Sequence, residues 1–192
     1  SHVEIESWFR KQWIKYPAPF YSSIDIRNSG FKISPVDTNL FPAGFNNLNK
    51  DFESLYVTAV KHSLDSLKTK IEKILIIPEN HTRNMHYLES LNYLSLLIKR
   101  SGYDVRVSKP GIDEEKFKNL NSILEYDGFV PDAILLNNDL SSGIPSFLNN
   151  IKQVVLPSKN IGVPFFESPG PPVVKLCPSG NNVRCILIRV IS

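Results

Sequence analysis

Apolar residues recur along this chain in two rhythms, and the switch between them marks out a fold. Phe52, Leu55, Tyr56, Ala59, Val60, Leu64 and Leu67 repeat with helical spacing and predict a helix over residues 51–70, capped by Asn49 or Asp51. Residues 73–78 (Lys73, Ile74, Leu75, Ile76, Ile77, Pro78) are a short continuous apolar run closed by proline, the mark of a strand buried on both faces of a parallel sheet. A second helical stripe follows in Leu88, Leu91, Leu94, Leu97 and Ile98, with Gly102 just past its end. Tyr103, Val105 and Val107 then alternate as a strand. Strand, polar loop, helix and strand make a βαβ unit. A further unit reads as a buried strand at 133–136, a short helix at 146–151 and a strand at 153–156. Before these, Val3, Ile5, Trp8, Phe9 and Trp13 predict an amphipathic helix that ends at Tyr16, Pro17, Ala18 and Pro19, and residues 21–26 predict a strand. The weakest stretch is 110–128, where a charged, poorly amphipathic helix over 113–124 is the expectation. The order of elements predicts an α/β fold with an open, mostly parallel, Rossmann-like sheet flanked by helices.

From about Val163 the character changes. Pro164, Pro169, Pro171, Pro172 and Pro178 crowd a segment that ends in the apolar run 185–191. Five prolines argue against a central sheet position, which leaves an edge strand or a poorly ordered tail. The expected organisation is an α/β domain over 1–160 and an irregular proline-rich tail over 161–192. An apolar terminus with no surface element after it suggests a chain cut short or altered there.

Composition narrows the function classes. The chain has 192 residues, 42% of them hydrophobic and 21% charged, enough for the core of one α/β domain. Its net charge of +3 is modest, and Lys61, Lys68, Lys70, Lys73, Lys99 and Arg100 fall on or beside predicted helices. Those are solvated helix faces, so nucleic acid is not an expected partner. No apolar run approaches the roughly 18 residues of a membrane span, and the first residues are polar and acidic. A cytoplasmic protein with no membrane partner is expected. Cys177 and Cys185 match no zinc spacing, and His2, His62, His81 and His86 add no partner set, so no structural metal is expected. Asn80, His81 and Thr82 match a glycosylation acceptor, set aside in the absence of a secretory signal. The glycine-rich phosphate loops, the nucleophile elbow and the metalloprotease helix motif are all missing.

The candidate chemistry lies in three polar clusters, each placed after a predicted strand. The first, 25–48, mixes Asp25, Arg27, Asn28, Lys32, Asp37, Asn39, Asn46 and Asn47 with Phe31, Leu40, Phe41 and Phe45. The second holds Glu79, Asn80, His81 and Arg83, and the third Asn137, Asn138 and Asp139. In an open parallel sheet the loops after strands emerge along one edge, where ligands bind, so the clusters converge if the three strands are parallel neighbours. Arg27, Lys32 and Arg83 suit a carboxylate or phosphate; Asp25, Asp37, Glu79 and Asp139 suit an ammonium group or magnesium. Asparagines offer donors and acceptors together. An amino acid carries both signs and fits that mixture. The plainer alternative is that Thr82, Asn84 or Ser141 only begin helices, and that Asn and Asp only form turns. No nucleophile or orienting carboxylate is identifiable beside His81, and His86 falls inside a helix.

Several of these runs resemble the proteobacterial glutamate–cysteine ligase family. The resemblance rests on Trp8, Phe9, Arg10, Gln12 and Trp13; on Pro19, Phe20 and Tyr21; and on the run from Asp25, Arg27, Asn28 and Gly30 through Pro35, Asp37, Asn39, Pro42, Gly44, Asn46 and Asn47. Residues 77–84 and 135–143 resemble two further signatures, and the likeness spans roughly 5–160. It implies an ATP- and magnesium-dependent enzyme of glutathione biosynthesis that joins the γ-carboxyl of glutamate to the amino group of cysteine through a γ-glutamyl phosphate. It also implies a pre-ATP-grasp-type domain on the substrate side. Arg27, Lys32 and Arg83 would then hold substrate carboxylates, Asp37 and Glu79 the ammonium group, and Asn39, Asn46, Asn47, Asn137 and Asn138 the remainder. Family members are about twice as long, with a later ATP-grasp half, and residues 163–192 depart from their pattern. A reading-frame shift, a chosen end of the fragment or a decayed gene would each account for that. The chain is therefore expected to be inactive alone, to bind neither ATP nor magnesium tightly, and to lack its ATP-grasp partner half. The alternative is a non-catalytic α/β module that binds an amino acid or small peptide; a third possibility is a structural protein whose asparagines serve only as turns.

Overall fold

The computed structural model describes residues 1–15, 19–79, 84–109, 114–138, 140, 143–157 and 182–188, with backbone alone at 13, 114 and 182–188. In chain order the elements begin α1 (His2–Lys15), β1 (Tyr21–Asn28), β2 (Ile33–Asn39), α2 (Glu53–Asp65), β3 (Lys73–Pro78) and α3 (Met85–Arg100). They continue β4 (Asp104–Val107), β5 (Phe117–Leu120), β6 (Ile123–Tyr126), β7 (Ala133–Asn137), β8 (Val154–Leu156) and β9 (Asn182–Ile188).

The two apolar runs 73–78 and 133–137 become the central strands of a four-stranded parallel sheet in the order β4-β3-β7-β8. Strand period two sends alternate residues to opposite faces. Ile74, Ile76, Ala133 and Leu135 join a core with Val60 and Leu64 of α2 and Leu91, Leu94 and Ile98 of α3. Leu75, Ile77, Ile134 and Leu136 face a second core built on Phe41, Phe117, Leu124, Tyr126, Phe129, Phe147 and Leu148. The fold is α/β, as the spacing predicts, with α2 and α3 on one face.

The other face carries a correction. Residues 113–124 do not form a charged helix: a single turn at Glu114–Lys116 leads into the antiparallel hairpin β5-β6. Asn121 and Ser122 between the strands both have positive φ, at 54° and 66°, the backbone of a tight two-residue hairpin turn. The signal was hidden because Ser122 stands where such turns usually carry glycine. Phe117 of this hairpin stacks on Phe147, with centroids 4.1 Å apart, and so covers the sheet.

Other elements agree in place and differ in extent. The helix expected over 51–70 ends at Asp65 and begins after a short turn, Lys50–Phe52, whose cap is Asn49 accepting from the Asp51 amide. The helix expected at 146–151 is only the turn Ser146–Leu148. In α3 the cap is Asn84, whose Oδ1 accepts from the His86 amide. The predicted N-terminal helix forms as α1, yet Val3, Ile5, Trp8 and Ile14 are exposed on it.

Strand β1 is not part of the parallel sheet. It is the middle of a separate antiparallel sheet, β2-β1-β9, in which β9 holds an edge position, one of the two alternatives for the apolar run near the end. The prediction that three loops leave one parallel edge therefore fails for the first cluster. Residues 25–39 instead form a hairpin with a tight turn, where Asn28 Oδ1 accepts from the Gly30 amide at 2.8 Å.

Candidate substrate crevice at the carboxyl edge

The parallel sheet has a topological switch between β3 and β7: β4 lies on one side of β3 and β7 on the other. Chain leaving the carboxyl ends of such a pair parts to either side and opens a crevice. Pro78 at the end of β3 is in register with Asn137 at the end of β7. Glu79 and Asn138 are the next residues along, so the second and third polar clusters meet at this edge.

The first cluster reaches the same edge by a different route. Beyond β2 the chain passes over the end of the sheet, burying Phe41 in the core beneath the β5-β6 hairpin and Phe45 in the core beneath the helices. Ser90 of α3 anchors the crossing, its Oγ accepting from the amides of Gly44 at 2.8 Å and Phe45 at 3.1 Å. Gly44 has φ of 92°, a conformation that L side chains adopt only at a cost.

A buried hydrogen-bond network joins the three clusters. Asn137, only 2% exposed, donates through Nδ2 to the Pro42 carbonyl at 3.0 Å and to the Tyr21 hydroxyl at 3.3 Å. Tyr21 in turn donates to the Leu136 carbonyl. The Tyr87 hydroxyl lies 2.9 Å from Asn137 Oδ1 and 3.0 Å from its carbonyl oxygen, and accepts from the Glu79 amide at 3.0 Å. Burial pushes both phenols to higher pKa, which keeps them protonated and able to donate.

Asn137 is the hub of this network. Its side chain is enclosed by protein groups, with both amide hydrogens and the carbonyl oxygen engaged by Tyr21, Pro42 and Tyr87. Asn138 is half-buried beside it. Glu79 is half-buried at the end of β3. Asn46 is half-buried; its Nδ2 makes a long contact of 3.5 Å to Glu89, and its Oδ1 is enclosed without a hydrogen-bond partner among the described residues. Asn47 is exposed in the same turn.

The hairpin residues are not brought to the crevice edge by strand pairing. Arg27, Lys32 and Asp37 are exposed on β1, the turn and β2, while Asn39 accepts from the Phe41 amide at 2.8 Å. Asp25 stands directly across from Asp37 in one direction and Arg184 in the other. Asn80, His81, Arg83 and Asp139 lie outside the described residues. Among the described residues no three Asp, Glu, His or Cys side chains gather as metal ligands. None of the described helices is long and apolar enough to cross a membrane.

Tyr21, Tyr87 and Ser90 were missed by sequence reasoning. A weak signal existed for Tyr87: it shares the buried stripe of Leu91, Leu94 and Ile98 but stands in the first turn of the helix. A polar tip there falls at the carboxyl end of the sheet.

Comparison with known proteins bears on the same residues. A family described as glutamate-cysteine ligase (GshA) matches residues 1–164. The crystal structure of a candidate gamma-glutamylcysteine synthetase from Methylobacillus flagellatus KT superposes with a TM-score of 0.73 at 41% identity, over 81% of this chain and 41% of that one. The chain thus spans less than half the length of that relative. A glutathione synthetase-like effector (GSS30) from Globodera pallida aligns at 15% identity and a TM-score of 0.49, over 79% of this chain and 44% of that one. No curated protein matches.

Proposed function

The chain belongs to the glutamate–cysteine ligase family, and from that premise we propose that it forms the substrate side of an enzyme joining glutamate to cysteine, in the cytoplasmic synthesis of γ-glutamylcysteine. The observation that carries this reading is the family match over residues 1–164, a span that includes the whole parallel sheet and its carboxyl edge. The chemistry of the edge supports it. Glu79 supplies a carboxylate for a substrate ammonium group and Asn138 a donor and acceptor for its α-carboxylate. Arg83, four residues after Glu79 along the chain, supplies the cation for a substrate carboxylate. Arg27, Lys32 and Asp37, exposed on the hairpin away from that edge, are assigned to the partner amino acid, with Asn39, Asn46 and Asn47 following in the chain.

The described residues offer no seat that fits ATP or magnesium. The donor cluster a metal would need is not formed among them, and the sequence has no glycine-rich phosphate loop. The binding of ATP and magnesium is assigned to the larger part of the family relative that this chain does not cover; the α/β unit is taken as 1–160, to which β9 adds an edge strand beside β1.

Calorimetric titration with glutamate, cysteine and ATP in the presence of magnesium tests the assignment. Glutamate is expected to bind, Glu79→Ala to weaken it by about tenfold or more, the loss of roughly one charge-assisted contact, and ATP to give no heat. ATP turnover by this chain would overturn the division of labour. No heat with either amino acid would overturn the substrate-side reading.

A further inference from the structure

We propose that Tyr87 is a positioning residue: with Asn137 it makes a buried polar clasp that fixes the segments after β3 and β7 against each other, and so sets how tightly the crevice holds its amino acid. The proposal deepens the substrate-side reading and rests on it.

The clasp is made by one hydroxyl serving both sides of the crevice. It accepts from the Glu79 amide at 3.0 Å, where the chain leaves β3, and reaches Asn137 Oδ1 at 2.9 Å, where the chain leaves β7. Asn137 extends the same network to Pro42 and Tyr21, so each of the three polar clusters is tied to it. Tyr87 and Asn137 are 7% and 2% exposed, which keeps water from competing for these bonds.

Stability alone does not account for such a pair. Two apolar side chains of similar shape could fill the space at little cost, because a buried hydrogen bond contributes modestly once its desolvation is counted. What a saturated polar network adds is direction: it permits one relative placement of the strand ends and resists others. A ligand held between two segments depends on that placement, since displacing a binding group by about 1 Å can cost on the order of 10²-fold.

The experiment compares Tyr87→Phe with Tyr103→Phe. Tyr103 is an equally buried tyrosine at the amino end of β4, whose hydroxyl donates to Asp65 Oδ1 at 2.9 Å. Each variant removes a tyrosine hydroxyl together with its hydrogen bonds, but only one removes the clasp. In Tyr87→Phe, amide hydrogen exchange at Glu79 and at Asn138 is expected to quicken together, and glutamate affinity to fall by about tenfold. In Tyr103→Phe both should stay at the level of the parent chain, whatever happens to the melting temperature. Asn137→Ala cuts the clasp from the β7 side and should reproduce the first pattern. Unchanged exchange at either segment in Tyr87→Phe, or the same loss of affinity in Tyr103→Phe, would overturn the clasp. Failure of the parent chain to bind glutamate would instead overturn the substrate-side reading, while the exchange data would still decide whether the clasp exists.

Discussion

The four-stranded parallel sheet and the β2-β1-β9 sheet are held together in opposite ways. In the parallel sheet β3 and β7 are buried almost without interruption, with Leu75, Ile76, Ala133, Ile134 and Leu136 wholly shut from solvent. In the antiparallel sheet β2 is exposed or half-buried throughout, and Val36 is 52% exposed. The first is stabilised by apolar area on both faces. The second is moored at a few points: Phe20 and Tyr21 at the start of β1, then Phe41 and Phe45 after β2. The difference teaches where precision comes from. A sheet buried on two sides supplies a rigid edge, and the moored hairpin brings charged groups to the molecule without weakening its core.

Truncating the buried sheet gives the largest contrast. Leu135→Ala should cost about 2–5 kcal/mol in denaturant unfolding, the usual range for a buried leucine. Val36→Ala should stay within about 0.5 kcal/mol, as exposed positions do. Similar costs for the two would abolish the distinction drawn between the sheets. A smaller effect falls on the mooring itself. Asn137→Ala leaves Pro42, Tyr21 and Tyr87 short of partners and should cost about 1–3 kcal/mol, with faster hydrogen exchange in β1 than in β3. Equal acceleration in both strands would mean that the hairpin sheet unfolds only with the rest. Asn84→Ala removes the cap of α3 and should cost about 1 kcal/mol, read as a lower melting temperature with no change in the hairpin.

The smallest effect is a pH dependence. Tyr21, Tyr87 and Tyr103 are raised above the ordinary tyrosine value of 10.0, all three mainly by burial and Tyr103 also by its bond to Asp65. Above about pH 10 the unfolded chain releases these protons while the folded chain keeps them, so the unfolded state binds fewer protons and stability falls. Below that pH their contribution is fully present. Denaturant midpoints taken from pH 8 to pH 11 should be flat and then decline. In Tyr87→Phe the decline should be shallower, and an unchanged slope would show that this phenol is not sequestered.

The parallel sheet was legible in the sequence because its strands answer to one requirement, burial on both faces, which leaves unbroken apolar runs at Ile74–Ile77 and Ala133–Leu136. Helix α3 was equally plain from its stripe and from Asn84 and Gly102 at its ends. The β5-β6 hairpin was not, since its turn residues Asn121 and Ser122 lack the glycine that usually announces such a bend, and Glu114, Glu115, Lys116 and Lys118 read like a helix surface. The site was half legible. Polar residues at Glu79 and Asn137–Asn138 do stand at neighbouring strand ends, as the order of elements implied. Two things escaped. Strand β1 pairs antiparallel with β2 and β9, and strand direction is a long-range property that no local pattern carries. The tyrosines that join the clusters also escaped, because Tyr21 and Tyr87 have the spacing of ordinary core residues and only the distances reveal their hydroxyl partners.

The crossing between Phe41 and Phe45 has a consequence for how this protein can change length. The two rings enter cores on opposite faces of the sheet, and only Pro42, Ala43 and Gly44 separate them. Four steps of extended chain reach about 13 Å, little more than the roughly 10 Å that separates packed layers. A deletion there would pull one ring out of its core, and an insertion would slacken the span that Ser90 holds through two amides. Loops usually absorb insertions and deletions freely. This one should behave as a gauge of fixed length, tolerant of changes in side chain at Ala43 and intolerant of any change in count.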